Sequence, residues 1–199
     1  MAGKRIKFRE MKSTELIGIM GTAHGVGTTH FCCMLGVFFA IVKGYRIAIV
    51  EANDTGCFRQ AGIILSTFKH KISKIISIYT QSDISELSRI VSMGYDYVIV
   101  DYGCDFNAAK ESFLMCPRKI IVGSTVWWKF HSYVAFLVAT KKERSSDRWI
   151  FTTTNPNRKL IKYLEKEFHK DIISIPYEPD PFFLKDSINF WHHLTEKIL

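Results

Sequence analysis

The chain has 199 residues, enough for one domain with a substantial core. Hydrophobic residues make up 47% and charged residues 23%, which excludes wholesale disorder. The net charge is +8, and no apolar run reaches the length of a membrane span; the longest, "FCCMLGVFFAIV", has the character of a buried helix. The start, "MAGKRIKFREMK", is basic and is not followed by an apolar segment of the secretory kind. Cys32, Cys33, Cys57, Cys104 and Cys116 show no C-x-x-C spacing. They read as small apolar residues in a reducing, cytoplasmic compartment, and a metal site built from them is not expected.

The elements alternate along the chain. "ELIGIM" (15–20) is a strand that runs into a glycine loop, and "THFCCMLGVFFAIVK" (29–43) is a helix apolar nearly all round. "YRIAIVEA" (45–52) is a second strand and "KISKIISIY" (71–79) a third. A helix begins at Asp83, with Glu86 placed for a capping box. "YDYVIVDYG" (95–103) is the clearest strand. A helix over 106–115 leads to the strand "RKIIVGS" (118–124), and the next helix starts near Trp128. "RWIFTTT" (148–154) is a strand, after which Asn155 caps a helix and Pro156 takes its first position. "DIISIPY" (171–177) is the last strand, and "SINFWHHLTEKIL" closes the sequence as a helix. Continuous apolar strands are covered on both faces, and their alternation with helices implies right-handed crossovers. The expected fold class is therefore α/β, with a doubly wound, mainly parallel sheet. Residues 1–12 form a basic N-terminal segment and residues 13–199 a single domain.

In such a sheet ligands bind at the carboxyl ends of the strands. The first strand ends in "GTAHGVGTTH", close to the phosphate-binding pattern G-x-x-x-x-G-K-[ST]. Gly25, Gly27 and Thr29 match two of its glycines and its hydroxyl, whereas Thr28 stands at the lysine. Glycines let backbone N–H groups turn inward, and the following helix points its positive end at an anion. The second strand ends in Glu51, Asn53 and Asp54. Asp101 ends the "YDYVIVD" strand, where with Thr29 it would hold Mg²⁺. A tight strand-to-helix turn without a ligand is the competing reading of the loop alone; the loop, Asp101 and the acidic second strand in their expected order favour a phosphate site.

These residues resemble the MinD/ParA group of P-loop ATPases, whose deviant Walker A loop is written K-G-G-x-G-K-T-T. "GTAHGVGTTHF" resembles that loop, "YRIAIVEAND" the second strand with its D-x-D, and "GYDYVIVDYG" the Walker B strand. "TTTNPNR" resembles the segment near the adenine, and "IISIPYEPD" the late strand and loop. The resemblance implies a nucleotide site of Thr22, His24, Gly25, Val26, Gly27, Thr28, Thr29 and His30, with Asn155 toward the base. Thr29 and Asp101 would hold the metal, and the implied cofactor is ATP or ADP with Mg²⁺, bound weakly or not at all.

The departures bear on function. Ala23 replaces the lysine that in this group crosses a dimer interface, and Thr28 replaces the general P-loop lysine. His24 replaces a glycine and His30 a threonine. Asn53 stands at the aspartate associated with the attacking water, and Glu51 replaces the other aspartate; with Asp54 these are the only catalytic candidates. Each lost charge contact costs on the order of 2–4 kcal/mol in the transition state. The leading expectation is a regulatory or localising factor with little or no hydrolysis, working with a protein partner; the resemblance implies roles such as positioning a secretion or pilus assembly in a bacterial cytoplasm. An ATP-driven sandwich dimer is not expected. An active ATPase with an unusual loop, and a nucleotide-independent binding module, remain alternatives. The net charge is either a solvated surface or a face for DNA or anionic membrane. Its local clusters are Lys4, Arg5, Lys7, Arg9 and Lys12, and Arg158, Lys159, Lys162, Lys166 and Lys170. Trp127 and Trp128 divide, on this reading, into one core and one rim residue.

Overall fold

Strands whose every residue is apolar need neighbours on both edges and helices on both faces, and this requirement sets the architecture. The computed structural model describes residues 13–59, 76–143, 145–184 and 187–199. Its elements are β1 (Glu15–Gly21), α1 (Thr28–Val37), β2 (Ile47–Glu51), β3 (Ile76–Tyr79), α2 (Ile84–Val91), β4 (Tyr97–Asp101) and α3 (Phe106–Met115). They continue as β5 (Arg118–Ser124), α4 (Trp127–Thr140), β6 (Ile150–Thr154), α5 (Arg158–Phe168), β7 (Ile172–Ser174) and α6 (Ile188–Ile198). A π-helical turn, Phe38–Val42, prolongs α1.

The strands form one sheet in the order β3-β2-β4-β1-β5-β6-β7, and every pairing is parallel. The doubly wound parallel α/β fold expected from the sequence is therefore present. β1 lies between β4 and β5. From β1 the chain crosses to β2, returns through β4, and only then builds the far half of the sheet, so a crevice opens at the carboxyl end of β1. Register brings the functional ends together: Ile19 of β1 and Glu51 of β2 are both Cα partners of Asp101.

Two apolar layers hold the sheet. On one face Ile17, Ile19, Ile49 and Ile99 pack with Phe31 and Phe38 of the first helix and Trp191, Leu194 and Ile198 of α6. The Phe31 and Trp191 rings lie 5.4 Å apart. The last helix is thus docked in the core. On the other face Val50, Val98, Val100 and Ile121 meet Phe113, Tyr133, Leu137 and Leu164.

Several local expectations change. The cap of α5 is Asn157, whose side chain accepts from the N–H groups of Lys159 and Leu160, while Asn155 takes a left-handed φ of 50° and stays outside the helix. Asp83 does cap α2, but Glu86 pairs with Arg89. Trp127 and Trp128 are both exposed, since neither side chain at the start of α4 faces the sheet. Arg158, Lys159, Lys162 and Lys166 form an exposed basic face of α5, whereas Lys170 is half-buried and paired with Asp147. The N-terminal basic segment and residues 71–75 of the third expected strand lie outside the described residues.

Gly123 in β5 faces the buried ring of Tyr133, whose hydroxyl donates to the carbonyl of Thr152. A Cβ on Gly123 would stand 2.3 Å from that ring. Gly123→Ala is therefore expected to destabilise the protein by on the order of 1–3 kcal/mol through overpacking, read as a lower urea midpoint with an unchanged slope.

Candidate functional site

The loop between β1 and α1 is shaped by two left-handed glycines, Gly25 (φ 67°) and Gly27 (φ 95°). Gly27 is also the N-cap of α1, which has neither a side-chain cap nor an acidic residue in its first turn. Among the described residues no acceptor meets the backbone N–H groups of residues 23–30; the series of helical bonds starts with Phe31 N–H to Gly27 O at 2.9 Å. Helix starts normally satisfy such groups with a side-chain oxygen. Left open beside the positive end of a helix, they are suited to an anion.

The loop is fixed from below and from the sides. Gly21 N–H donates to Gly103 O (2.7 Å) and Thr22 N–H to Val122 O (3.0 Å). At the crest Thr154 donates its hydroxyl to Val26 O at 3.1 Å, and the ammonium of Lys129 donates to His24 O. Thr22 itself carries a buried hydroxyl without a partner. Thr28 is buried too, and a Cβ on Gly21 would stand 2.3 Å from its Oγ1, so the side chain lies back against the end of β1.

Opposite the loop, Asp101 is fully buried. Its Oδ2 accepts from Thr29 Oγ1 at 2.6 Å and its Oδ1 from Gly103 N–H at 2.9 Å. Burial pushes the carboxyl above its ordinary range, and the Glu51 charge adds to this; the two hydrogen bonds oppose it. Glu51 is equally buried. Its Oε1 accepts from Phe58 N–H at 3.2 Å and from Thr55 Oγ1 at 3.4 Å, while Oε2 is an orphaned buried oxygen. The described residues contain no group of three acidic, histidine or cysteine ligands. The donor set present, Thr29 and Asp101 with the free oxygen of Glu51 in the next strand, suits Mg²⁺, which takes one or two carboxylates and fills its shell with water and phosphate.

The other candidates separate. Asn53 is tied down: its Nδ2 donates to Asp101 O (2.9 Å), and its Oδ1 accepts from Thr55 N–H (3.0 Å) and Thr55 Oγ1 (2.6 Å). Asp54 is exposed and lines, with His24, Cys104 and Asp105, a groove of about 810 Å³ on the β4 side. His30 donates from Nε2 to Glu178 O at 2.7 Å. On the β6 side a cavity of about 610 Å³ is lined by Gly25, Gly27, His30, Asn155, Pro156 and Tyr177 among others. Thr125 donates to Asn155 O at 3.0 Å and holds that wall. Lys129 of α4 and Thr154 of β6, which bond the loop, were not read from the sequence as loop contacts; Lys129 lies 105 positions from its partner.

Fold and loop together define a protein with the architecture of P-loop ATPases. No protein-family model matches the sequence, and no curated protein matches it. Solved structures do. A putative plasmid partition protein from Borrelia burgdorferi B31, bound to AMPPNP, has a TM-score of 0.65 at 16% identity, covering 94% of this chain and 98% of that one. The MinD cell division protein of Aquifex aeolicus gives 0.62 at 16%, over 92% and 98%, and a chain of the MinC:MinD complex from the same organism gives 0.63 at 16%, over 92% and 96%. A ParA family ATPase from Chlorobium tepidum TLS gives 0.59 at 16%, over 84% and 85%. The fold is that of the ParA and MinD ATPases.

Because the fold raises the pKa of Asp101, it disfavours the ionised form, so this group's contribution to stability falls as pH rises through and above the ordinary carboxylate range. Asp101→Asn can still accept from Gly103 and donate to the Thr29 oxygen. It is expected to raise the melting temperature at about pH 7 by a few degrees, a gain that shrinks toward about pH 4. Thermal unfolding of both proteins across that range checks the sign.

Proposed function

We propose that the chain is a MinD/ParA-like nucleotide-binding protein with a degenerate loop, acting as a regulatory or localising factor rather than an efficient ATPase. The observation that carries this reading is the loop itself. It keeps a run of unpartnered N–H groups at a helix start, yet at the lysine position it holds Thr28, buried against β1. The N–H groups of residues 23–30 would bind the phosphates of ATP or ADP. Gly25, Val26, Gly27 and His30 form the wall between phosphates and nucleoside, and Asn155 lines the cavity that would take the base. Thr22 offers its free hydroxyl, and exposed His24 stands at the crest.

Thr29 and Asp101 would hold Mg²⁺, which when bound neutralises phosphate charge. The chain's own residues do less toward hydrolysis. Both polar atoms of Asn53 are occupied, so it has no free acceptor for a water proton. Glu51 is buried away from solvent, and Asp54 is exposed on the neighbouring groove. Ala23 has no charge to extend into a second subunit, which argues against an ATP-driven sandwich dimer.

The function then lies in a partner. One neighbour in fold is a MinC:MinD complex, and a protein partner is the reading we adopt here. The basic face of α5 supplies a second surface, suited to DNA or anionic membrane. No helix among the described residues is long and apolar enough to cross a membrane, and the five free cysteines fit a cytoplasmic setting.

Titration of ATP and ADP with Mg²⁺, alongside phosphate release, tests this. The native chain is expected to bind nucleotide weakly and to release phosphate near the background rate. Thr28→Lys is expected to strengthen ATP binding more than ADP binding, by about tenfold for one charged contact, without restoring turnover. Rapid hydrolysis by the native chain would sink the degenerate-site reading.

A further inference from the structure

We propose that Lys129 supplies, from within the same chain, the cation missing from the loop, and that its ammonium takes the terminal phosphate of a bound nucleoside triphosphate. This rests on the nucleotide-binding reading above. Lysines expected by resemblance at positions 23 and 28 are alanine and threonine. Lys129 reaches the same loop from the first turn of α4: its Nζ donates to His24 O and lies 3.9 Å from where a Cβ on Gly25 would be.

Nothing in α4 itself accounts for a cation there. A lysine in a first turn faces the positive end of its own helix, which is unfavourable. α4 has no acidic residue in that turn to offset the charge, and its N-cap, Val126, has no side-chain acceptor. Among the described residues Lys129 forms no ion pair. The position makes sense as a contact with the loop rather than as helix design.

Two directions locate the charge. It touches the crest at residues 24 and 25, and it also acts on Cys104, just past the end of β4: burial and Asp105 push that thiol up, while Lys129 pulls it back. Lys129 therefore reaches the loop crest from the first turn of α4, where His24, the residue it bonds, also lines the β4-side groove with Cys104 and Asp105. A terminal phosphate held by the N–H groups of the crest falls within reach of that ammonium. An ammonium has three donors. One is spent on His24 O, which leaves two for phosphate oxygens.

The test is the affinity of Mg-ATP and Mg-ADP for the native protein, Lys129→Ala, Lys129→Gln and Lys129→Arg, with melting temperatures recorded in parallel. Glutamine retains a donor for His24 O without the charge, so it separates holding the loop from neutralising phosphate. Expected is a loss of about tenfold or more in ATP affinity for the alanine and glutamine variants, with ADP within about twofold. Arginine should retain most of the affinity, and Thr28→Lys added to Lys129→Gln should restore the preference for ATP. Equal loss of both nucleotides, or loss in the alanine but not the glutamine variant, would reduce Lys129 to a tether of the loop and overturn the proposal. Unchanged affinities would overturn it as well. Failure of the native protein to bind either nucleotide would instead overturn the nucleotide reading, and this proposal with it.

Discussion

The contact between Thr29 and Asp101, 2.6 Å long, is the one on which the site's geometry rests. It joins the first turn of α1 to the carboxyl end of β4, adding a polar tie to the apolar packing of α1 on Ile99. Asp101 has zero exposure, and burying a carboxylate is costly unless its oxygens are bonded. Thr29 serves one oxygen and the backbone after β4 the other. The same backbone turn accepts from Gly21 at 2.7 Å, so the start of the loop, the start of the helix and the end of β4 form one closed set of bonds. Remove the hydroxyl of Thr29, and a buried acid loses half its support while the loop loses its alignment with the neighbouring strand.

This set explains how the loop holds its form without a lysine at position 23 or 28. Its form depends on Gly25 and Gly27 in left-handed conformations, on Thr154 and Lys129 at the crest carbonyls, and on the strand-end bonds. None of these needs a lysine at position 28. The chemistry of phosphoryl transfer, by contrast, depends on positive charge at the transferred group. Shape and charge separate at position 28 and meet again at Lys129, which bonds the crest and carries a cation.

The separation also accounts for what the sequence disclosed. Most of the strands were legible because their apolar runs are continuous, a pattern that buried parallel sheets require, and the one at 71–79 from its alternation. Gly25, Gly27, Thr29 and Asp101 were legible because their spacing follows from strand-to-helix turns. Asn155 was misread as a helix cap because Asn155 and Asn157 both precede helical sequence, and only the backbone decides which one has its side chain over the first turn. The tryptophans at 127 and 128 were misassigned because composition does not say which way the first turn of α4 faces. Lys129 was invisible as a loop residue, since its contact is made across 105 positions and leaves no periodicity.

The tether of Asn53 constrains what can stand at that position. Its amide nitrogen donates to the carbonyl of Asp101 while its oxygen accepts twice from Thr55. An aspartate at 53 has no proton for that carbonyl and would set a negative charge against it. An acid at this position is therefore unfavourable unless some other donor reaches the end of β4, while the two Thr55 donors can serve an amide or a carboxylate oxygen equally. The demand for an amide at position 53 thus comes from one carbonyl, and the end of β4 selects the neighbour's chemistry through its backbone and not through a side chain.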